Sequence, residues 1–203
     1  MTTFFVTGID TDSGKTLVSA ILCEALHADY WKPIQAGLPR DSETVRNLLI
    51  NKQTIIHPER HLLQTPASPH AAAKIDNVSI KLNDFQLPKT QNNLIIEGAG
   101  GCLVPINDTH FVVDLISRLN IDVILVADLY LGSINHTLLT VEALKHRSLR
   151  IRGIIFNGQS NPESERIILA HTKIPCLLRI PREQTINKQT VLKYANQFRE
   201  TTQ

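Results

Sequence analysis

The stretch Gly8-Ile9-Asp10-Thr11-Asp12-Ser13-Gly14-Lys15-Thr16 decides the fold. The short apolar run 4–7 precedes it and has the composition of a buried strand. Segment 15–28 follows it and repeats its apolar residues at helical spacing. A loop that ends in Gly-Lys-Thr between a strand and a helix is typical of a P-loop. In such a loop, successive backbone N–H groups and the helix N-terminus cradle phosphate oxygens. The stretch therefore predicts binding of a nucleotide such as ATP or GTP.

One position departs from the usual P-loop spacing, which requires a glycine where this chain has Ile9. The glycine stands one residue earlier, at Gly8. Because the strand–loop–helix context is intact, we still expect Lys15 to reach the outer phosphates and the Thr16 hydroxyl to bind Mg²⁺.

Apolar runs of strand length alternate with helical segments along the rest of the chain. Strands are predicted at 29–33, 93–97, 122–127, 151–156 and 176–180, and helices at 41–49, 111–119, 134–146, 162–171 and 188–199. Strands that are apolar on both faces and alternate with helices predict an α/β fold, with a mostly parallel sheet flanked by helices on both faces. Residues 1–203 show no repeat or boundary, so we expect a single P-loop NTPase-type domain.

Composition excludes several classes of function. With a formal net charge of +2 and no basic patch, the 203 residues do not predict nucleic-acid binding. No run is long and apolar enough for a membrane span, and the N-terminus does not resemble a signal peptide. Cys23, Cys102 and Cys176 are far apart and lie beside apolar residues, so we expect three buried thiols and a cytoplasmic location.

Two further strand ends carry residues suited to phosphate chemistry. Glu97 ends strand 93–97 and precedes the turn Gly98-Ala99-Gly100-Gly101, where a P-loop protein needs a carboxylate for Mg²⁺. Lys32 follows Trp31 near the end of strand 29–33, and a second cation there could stabilise a phosphoryl group during its transfer. A lysine more often lies on a solvated surface, so both interpretations of Lys32 stay open.

The start of helix 134–146 forms another candidate site. Gly132-Ser133-Ile134-Asn135 precede or open this helix, and a helix N-terminus preceded by glycine can bind a carboxylate. Ordinary capping by Ser133 or Asn135 would explain the same residues.

Together these motifs resemble those of the dethiobiotin synthetases. The first loop resembles that family's Gly-Thr-Asp-Thr-x-x-Gly-Lys-Thr, including the displaced glycine, and Lys32-Pro33-Ile34-Gln35-Ala36-Gly37 resembles its Lys-Pro-Val-x-(Ser/Thr)-Gly. Ser68-Pro69-His70, the Glu97 turn, the Gly132 helix start and Asn157 follow in the family's order.

The resemblance implies an ATP-dependent cyclo-ligase of biotin biosynthesis. One amine of 7,8-diaminopelargonic acid takes up CO₂ (supplied by bicarbonate) as a carbamate, ATP phosphorylates the carbamate, and the second amine closes the ureido ring. The resemblance also implies Mg²⁺ as cofactor and a homodimer with a shared active site.

The resemblance further assigns roles to individual residues. Catalytic roles fall to Lys32, Lys15 and Thr11, with Asp10 near the metal. The ATP-binding residues would be Asp12, Ser13, Gly14, Lys15, Thr16, Leu17, Glu43, Glu97, Gly98, Ala99, Gly100, Asn157, Gly158, Pro181, Arg182 and Glu183. The metal ligands would be Thr16, Glu43 and Glu97, and the substrate would contact Thr11, Lys32, Gly132, Ser133, Ile134 and Asn135, the last four from the neighbouring subunit.

Two positions depart from the family pattern. Ala36 stands where the family has a Ser or Thr hydroxyl that contacts the carbamate, so Gln35 or a backbone N–H is expected to replace it. Glu43 stands where the family has an Asp, and it could serve because Glu reaches one methylene farther.

Three other kinds of protein share parts of this pattern. A ParA/MinD-type ATPase would carry an extra lysine early in its P-loop, and residues 8–13 contain none. A cobyrinate-type amidotransferase would need a glutaminase domain, for which this chain is too short. A non-catalytic nucleotide-binding protein would not require Lys32 and Glu97 beside the loop.

Overall fold

The computed structural model describes residues 1–202, which form two parallel sheets and seven α-helices. The strands are β1 (Thr3–Gly8), β2 (Asp29–Trp31), β3 (Ile34–Ala36), β4 (Ile56–His57), β5 (His61–Leu63), β6 (Leu94–Gly101), β7 (Asp122–Asp128), β8 (Ile151–Asn157) and β9 (Cys176–Ile180). The helices are α1 (Lys15–Leu26), α2 (Asp41–Leu48), α3 (Pro69–Ile75), α4 (Val112–Leu119), α5 (Ser133–His146), α6 (Pro162–Thr172) and α7 (Lys188–Thr202).

Seven strands form the main sheet in the order β4-β2-β6-β1-β7-β8-β9, and their pairings are parallel. A hydrophobic core lies on each face of this sheet, and neighbouring residues of one strand pack into opposite cores because side chains alternate between the faces. Ile95 packs with residues of α1 and α7, whereas Ile96 packs with residues of α4. The predicted parallel sheet with helices on both faces is confirmed.

The segment 51–90 contains strands that the sequence did not reveal. β4 adds two residues to the edge of the main sheet, and β5 pairs with β3 in a separate two-stranded sheet. Strands of two or three residues are too short to show an alternating pattern. The predicted strand 29–33 is also shorter in the structure, because β2 ends at Trp31 and β3 begins at Ile34.

Two expectations from the sequence concern the burial of the three cysteine thiols and the absence of a membrane span. Cys23 and Cys102 are buried as expected, but Cys176 is only half-buried, because it opens β9 at the edge of the sheet. Among the described residues, none of the helices combines the length and the apolar character that crossing a bilayer requires.

Parallel strands bring their carboxyl ends to one edge of the sheet, where ligands bind in open α/β folds. At this edge lie Gly8 of β1, Trp31 of β2, the Glu97 turn of β6, Asp128 of β7 and Asn157 of β8. The sheet topology therefore gathers the predicted site residues on one side of the molecule.

Candidate active site

The displaced glycine of the phosphate loop has a steric explanation. A Cβ at Gly8 would lie 2.0 Å from Ser13 Oγ and 2.8 Å from the carbonyl oxygen of Asp10, so the loop leaves no room for a side chain there. Ile9 instead extends β1, because its N–H donates to Val126 O at 3.0 Å and its side chain is buried. The position that is usually glycine thus belongs to the core of this chain.

The other end of the loop contacts β8. Gly14 has a φ of 92°, a left-handed conformation that favours glycine, and a Cβ there would lie 2.2 Å from Asn157 Nδ2. The same Asn157 nitrogen donates a hydrogen bond to Ser13 O at 2.9 Å. Asn157 therefore supports the phosphate loop directly, in addition to the base-binding role expected for it.

Lys15 lies folded over its own loop. Its ammonium donates hydrogen bonds to Asp10 O at 2.7 Å and Thr11 O at 2.6 Å. Burial, with the nearby charge of Lys32, lowers the pKa of Lys15 from 10.5 to about 8. A phosphate beside this ammonium would favour its charged form.

Lys32 lies in a buried cluster of charges with two carboxylates. Its Nζ is 2.9 Å from Glu97 Oε1 and 2.6 Å from Asp41 Oδ2, and it donates to Gly98 O at 3.0 Å. The exposed fraction is 4% for Lys32 and 1% for Glu97. Burial alone would lower the pKa of Lys32, but the carboxylates of Glu97 and Asp41 outweigh it and raise the pKa. Lys32 is thus a buried cation of the site, and the surface interpretation is wrong.

Two hydroxyls complete the surroundings of Glu97. Thr16 Oγ1 donates to Glu97 Oε1, and Tyr30 OH donates to Glu97 Oε2, both at 2.9 Å. Burial and the nearby Glu97 charge hold the pKa of Tyr30 well above its ordinary value, so the phenol stays a neutral donor. Sequence reasoning assigned no role to Tyr30. Its place in β2, two residues before Lys32, was the available signal.

The oxygen donors at this point fit Mg²⁺. This ion binds oxygen ligands and commonly uses one or two carboxylates together with substrate phosphates. Thr16, Glu97 and Asp41 supply a hydroxyl and two carboxylates, and the ammonium of Lys32 already lies between the two carboxylates. Within the described residues, no group of three or more His, Cys, Asp or Glu side chains could hold a metal, so an all-protein cage is not formed.

A cavity of about 540 Å³ opens beside these residues. Of the predicted site residues, it is lined by Thr11, Asp12, Lys15, Thr16, Lys32, Glu97, Ala99 and Gly100. The segment 66–69, which leads from the loop after β5 into the first residue of α3, covers another wall of the cavity, so part of the irregular region 51–90 borders the site.

Glu43 does not lie at this site, and the structure corrects that expectation. Glu43 is exposed on α2 and does not line the cavity, whereas Asp41 does and contacts Lys32. Two residues separated by one position on a helix point roughly 200° apart, so Asp41 and Glu43 cannot both face the cavity. The sequence signal for Asp41 was its position at the start of the predicted helix, after the Lys32 loop.

The predicted carboxylate-binding helix start lies outside the main cavity. Gly132 and Ile134 line a separate depression of about 360 Å³, with residues of segment 159–164 opposite them. Asn135 is exposed, whereas the Ser133 side chain is buried and its Oγ has no hydrogen-bond partner. No side chain caps α5 in the described structure, so the capping alternative for Ser133 or Asn135 is wrong.

The residues expected around the nucleotide base lie beyond the phosphate loop. Gly158 and Pro181 line a third cavity, of about 210 Å³, and Arg182 is exposed next to it. Glu183 accepts hydrogen bonds from Lys193 and Tyr194, which attach its loop to α7.

Leu17 and Gly98, both expected to contact ATP, face the protein interior. Leu17, in the first turn of α1, packs against the core, and a Cβ on Gly98 would lie 2.9 Å from the Phe5 ring. Neither residue lines the main cavity, although the Gly98 carbonyl accepts from Lys32.

Gln35 does not replace the hydroxyl missing at Ala36. Its Nε2 donates to Gly37 O at 3.1 Å, and its Oε1 accepts from the backbone N–H of Asp41 at 3.0 Å. Ala36 itself lines the cavity. Both ends of the Gln35 carboxamide are therefore engaged within the protein.

Comparison with known proteins agrees with this geometry. A family model described as an AAA domain matches residues 2–190. The chain is 58% identical over 197 residues to an ATP-dependent dethiobiotin synthetase of Cytophaga hutchinsonii, with 96% of each chain covered. A Christiangramia forsetii protein of the same name is 48% identical, with 97% of this chain and 95% of the relative covered. The chain belongs to the ATP-dependent dethiobiotin synthetase family. Its family activity is an ATP-dependent ligase reaction of biotin biosynthesis.

Solved structures with the same fold share much less sequence identity with this dethiobiotin synthetase family member than the two relatives do. A ParA family ATPase of Chlorobium tepidum superposes with a TM-score of 0.57 at 17% identity, covering 98% of this chain and 96% of that one. A MinC:MinD complex of Aquifex aeolicus gives 0.55 at 14% identity, covering 100% and 96%. At these identities the likeness establishes the P-loop ATPase fold alone.

The contact between Tyr30 and Glu97 predicts a loss of stability on removal of one hydroxyl. Tyr30→Phe should lower the free energy of unfolding by about 1–3 kcal/mol, because Glu97 Oε2 loses its buried donor. Ser79→Ala, at an exposed serine, should change it by less than about 0.5 kcal/mol. Urea unfolding followed by circular dichroism measures both, and equal stability of the two variants would contradict the assigned contact.

The lowered pKa of Lys15 predicts proton uptake on nucleotide binding. At about pH 9, between the value near 8 and the ordinary 10.5, free Lys15 is mostly neutral. Bound phosphate raises its pKa, so binding should take up close to one proton, and affinity should fall as pH rises above about 8. Calorimetry with a nonhydrolysable ATP analogue and Mg²⁺, in two buffers of different ionisation enthalpy, counts the protons.

Lys15→Arg supplies the control for this measurement. A guanidinium stays charged throughout this pH range, so this variant should show no uptake while it keeps a positive charge in the loop. Equal uptake by the variant and the unaltered chain would assign the proton to another group.

Proposed function

We propose that the chain makes dethiobiotin from 7,8-diaminopelargonic acid, CO₂ and ATP in the cavity of about 540 Å³. The observation that carries the proposal is the meeting of Lys15, Thr16, Lys32 and Glu97 on the walls of that one cavity. Two cations, a hydroxyl and a carboxylate at the end of a phosphate loop are what a phosphoryl transfer requires.

The proposed reaction has three bond-forming steps. A neutral amine of the substrate attacks CO₂ and loses a proton, which gives a carbamate. A carbamate oxygen then attacks the γ-phosphorus of ATP, and ADP leaves. The second amine attacks the carbonyl carbon of the resulting mixed anhydride, so that phosphate leaves and the cyclic urea forms.

Lys15 and Lys32 would stabilise the phosphoryl group during its transfer. Both ammonium groups border the cavity, and both are buried, so water screens their charge only weakly. A positioned donor of this kind contributes about 3–4 kcal/mol to the transition state, by analogy with one donor of an oxyanion hole. Thr11, on the same wall, would contact the substrate amines.

Mg²⁺ would be held by Thr16, Glu97 and Asp41, and Asp41 takes the place that the sequence suggested for Glu43. When bound, the ion supplies positive charge to the phosphate oxygens of ATP. Support for this set comes from the direct contacts of Glu97 with Thr16 and of both carboxylates with Lys32.

The homodimer remains part of the proposal. The helix start at Gly132 does not border its own chain's main cavity, so it would complete the site of a second copy. Apolar side chains at this place support an interface, because Tyr130, Leu131 and Ile134 are all exposed.

The continuous seven-stranded sheet supports the view that residues 1–203 act as one domain.

On the base side, Asn157 and the turn from Pro181 to Glu183 would hold the adenine. Gly158, which lines the third cavity with Pro181, directly follows Asn157, and Asn157 bonds to Ser13 of the phosphate loop. This continuity supports a nucleotide that extends from β1 to β8 along the edge of the sheet.

The proposed reaction predicts that ADP release depends on the diamine. Purified protein with ATP, Mg²⁺ and bicarbonate should release ADP only when 7,8-diaminopelargonic acid is added, and labelled bicarbonate should appear in the product. A coupled ADP assay with mass spectrometry of the product measures both. Hydrolysis that needs no diamine and rises with DNA or lipid vesicles would favour a ParA/MinD-type switch and overturn the proposal.

The revised metal site predicts different effects for two neighbouring acids. Asp41→Asn should raise the Mg²⁺ concentration for half-maximal activity about 10- to 100-fold, the range found when a group that supports a metal is removed. Glu43→Gln is the matched control and should leave it unchanged, because Glu43 is exposed outside the cavity. The opposite pattern would restore Glu43 as the ligand.

A further inference from the structure

Gln35 closes the loop that joins β3 to α2. The side chain is buried, with 5% exposed, and its carboxamide bonds to two points of that loop. Nε2 donates to Gly37 O at the start of the loop, and Oε1 accepts from the N–H of Asp41 at its end. One side chain thus joins both ends of segment 37–41.

The bond to Asp41 fills a gap at the start of α2. The first amides of a helix have no partner within the helix, and a side chain at the N-cap usually accepts from one of them. Arg40 occupies the N-cap of α2 and makes no such bond. Gln35 supplies an acceptor for this helix start from β3.

Asp41 is consequently held at two places. Gln35 fixes its backbone N–H at 3.0 Å, and Lys32 contacts its carboxylate at 2.6 Å. We infer that Gln35 is a positioning residue that sets the Asp41 carboxylate for metal binding. This inference rests on the proposed function, in which Asp41 is a ligand of Mg²⁺.

A direct role of Gln35 on the substrate fits the contacts less well. Gln35 borders the main cavity, but its carboxamide nitrogen and oxygen both bond to the backbone of its own loop. Its effect on the site therefore passes through Asp41, which makes the direct contact with Lys32.

The test compares metal affinity in six proteins: the unaltered chain and Asp41→Asn, each also with Gln35→Met or with Gln64→Met. Gln35→Met keeps the length of the side chain and removes both hydrogen bonds, and it is made in the unaltered chain and in Asp41→Asn. Mn²⁺ affinity is measured by electron paramagnetic resonance at saturating nonhydrolysable ATP analogue, so turnover is not needed. Gln64→Met, at an exposed glutamine after β5, is the matched control.

Positioning through Asp41 predicts that Gln35→Met weakens Mn²⁺ binding about tenfold, the low end of the range for groups that orient metal ligands. In the Asp41→Asn background, Gln35→Met should not weaken Mn²⁺ binding further. Gln64→Met should leave Mn²⁺ affinity unchanged both in the unaltered chain and in Asp41→Asn. If Gln35→Met does not fold by circular dichroism, Gln35→Asn serves, because its shorter side chain cannot reach both partners.

Three results would overturn the inference. Wild-type Mn²⁺ affinity in Gln35→Met would show that Asp41 needs no support. An equal loss in both backgrounds would show a general loosening of the site. Unchanged affinity in Asp41→Asn alone would remove Asp41 from the metal site, and this outcome identifies a failure of the proposed metal set itself.

Discussion

The ion pair between Lys32 and Glu97 is the interaction on which the site depends. Removing each of these charges from water costs several kcal/mol, and the cost is offset only by close partners with good geometry. Glu97 accordingly accepts hydrogen bonds from the hydroxyls of Thr16 and Tyr30, and Lys32 forms a second ion pair, with Asp41. Because each partner comes from a different element, burial of one pair fixes α1, β2, β6 and α2 relative to one another.

Much of this arrangement could be predicted from the sequence. Buried parallel strands leave apolar runs, and the helices between them leave a regular period, so the order of elements was readable. The topology then brings strand ends together without any knowledge of side-chain contacts. For this reason the phosphate loop, Lys32 and Glu97 could be placed at one edge of the sheet, and in the structure they line one cavity there.

The direction of individual side chains could not be predicted in the same way. The choice between Asp41 and Glu43 depends on how α2 is rotated, and that rotation depends on the path of the loop before it. A contact such as the one between Gln35 and Asp41 decides this path, yet it leaves no periodic pattern in the sequence. Tyr30 illustrates the same difficulty, because a strand tyrosine gives no sign that its hydroxyl reaches a carboxylate 67 residues farther along the chain, on the neighbouring strand β6.

The bond between Asn157 and the phosphate loop links two tasks that are often considered separately. In the proposed binding mode, the residue that faces the base also supports Ser13 and lies against Gly14, where phosphates are held. Preference for the base and binding of the phosphates would then both depend on the side chain of Asn157. An attempt to engineer the chain for another nucleotide by changing Asn157 would alter the phosphate loop too, so a new base preference would require a replacement that rebuilds the lost contact.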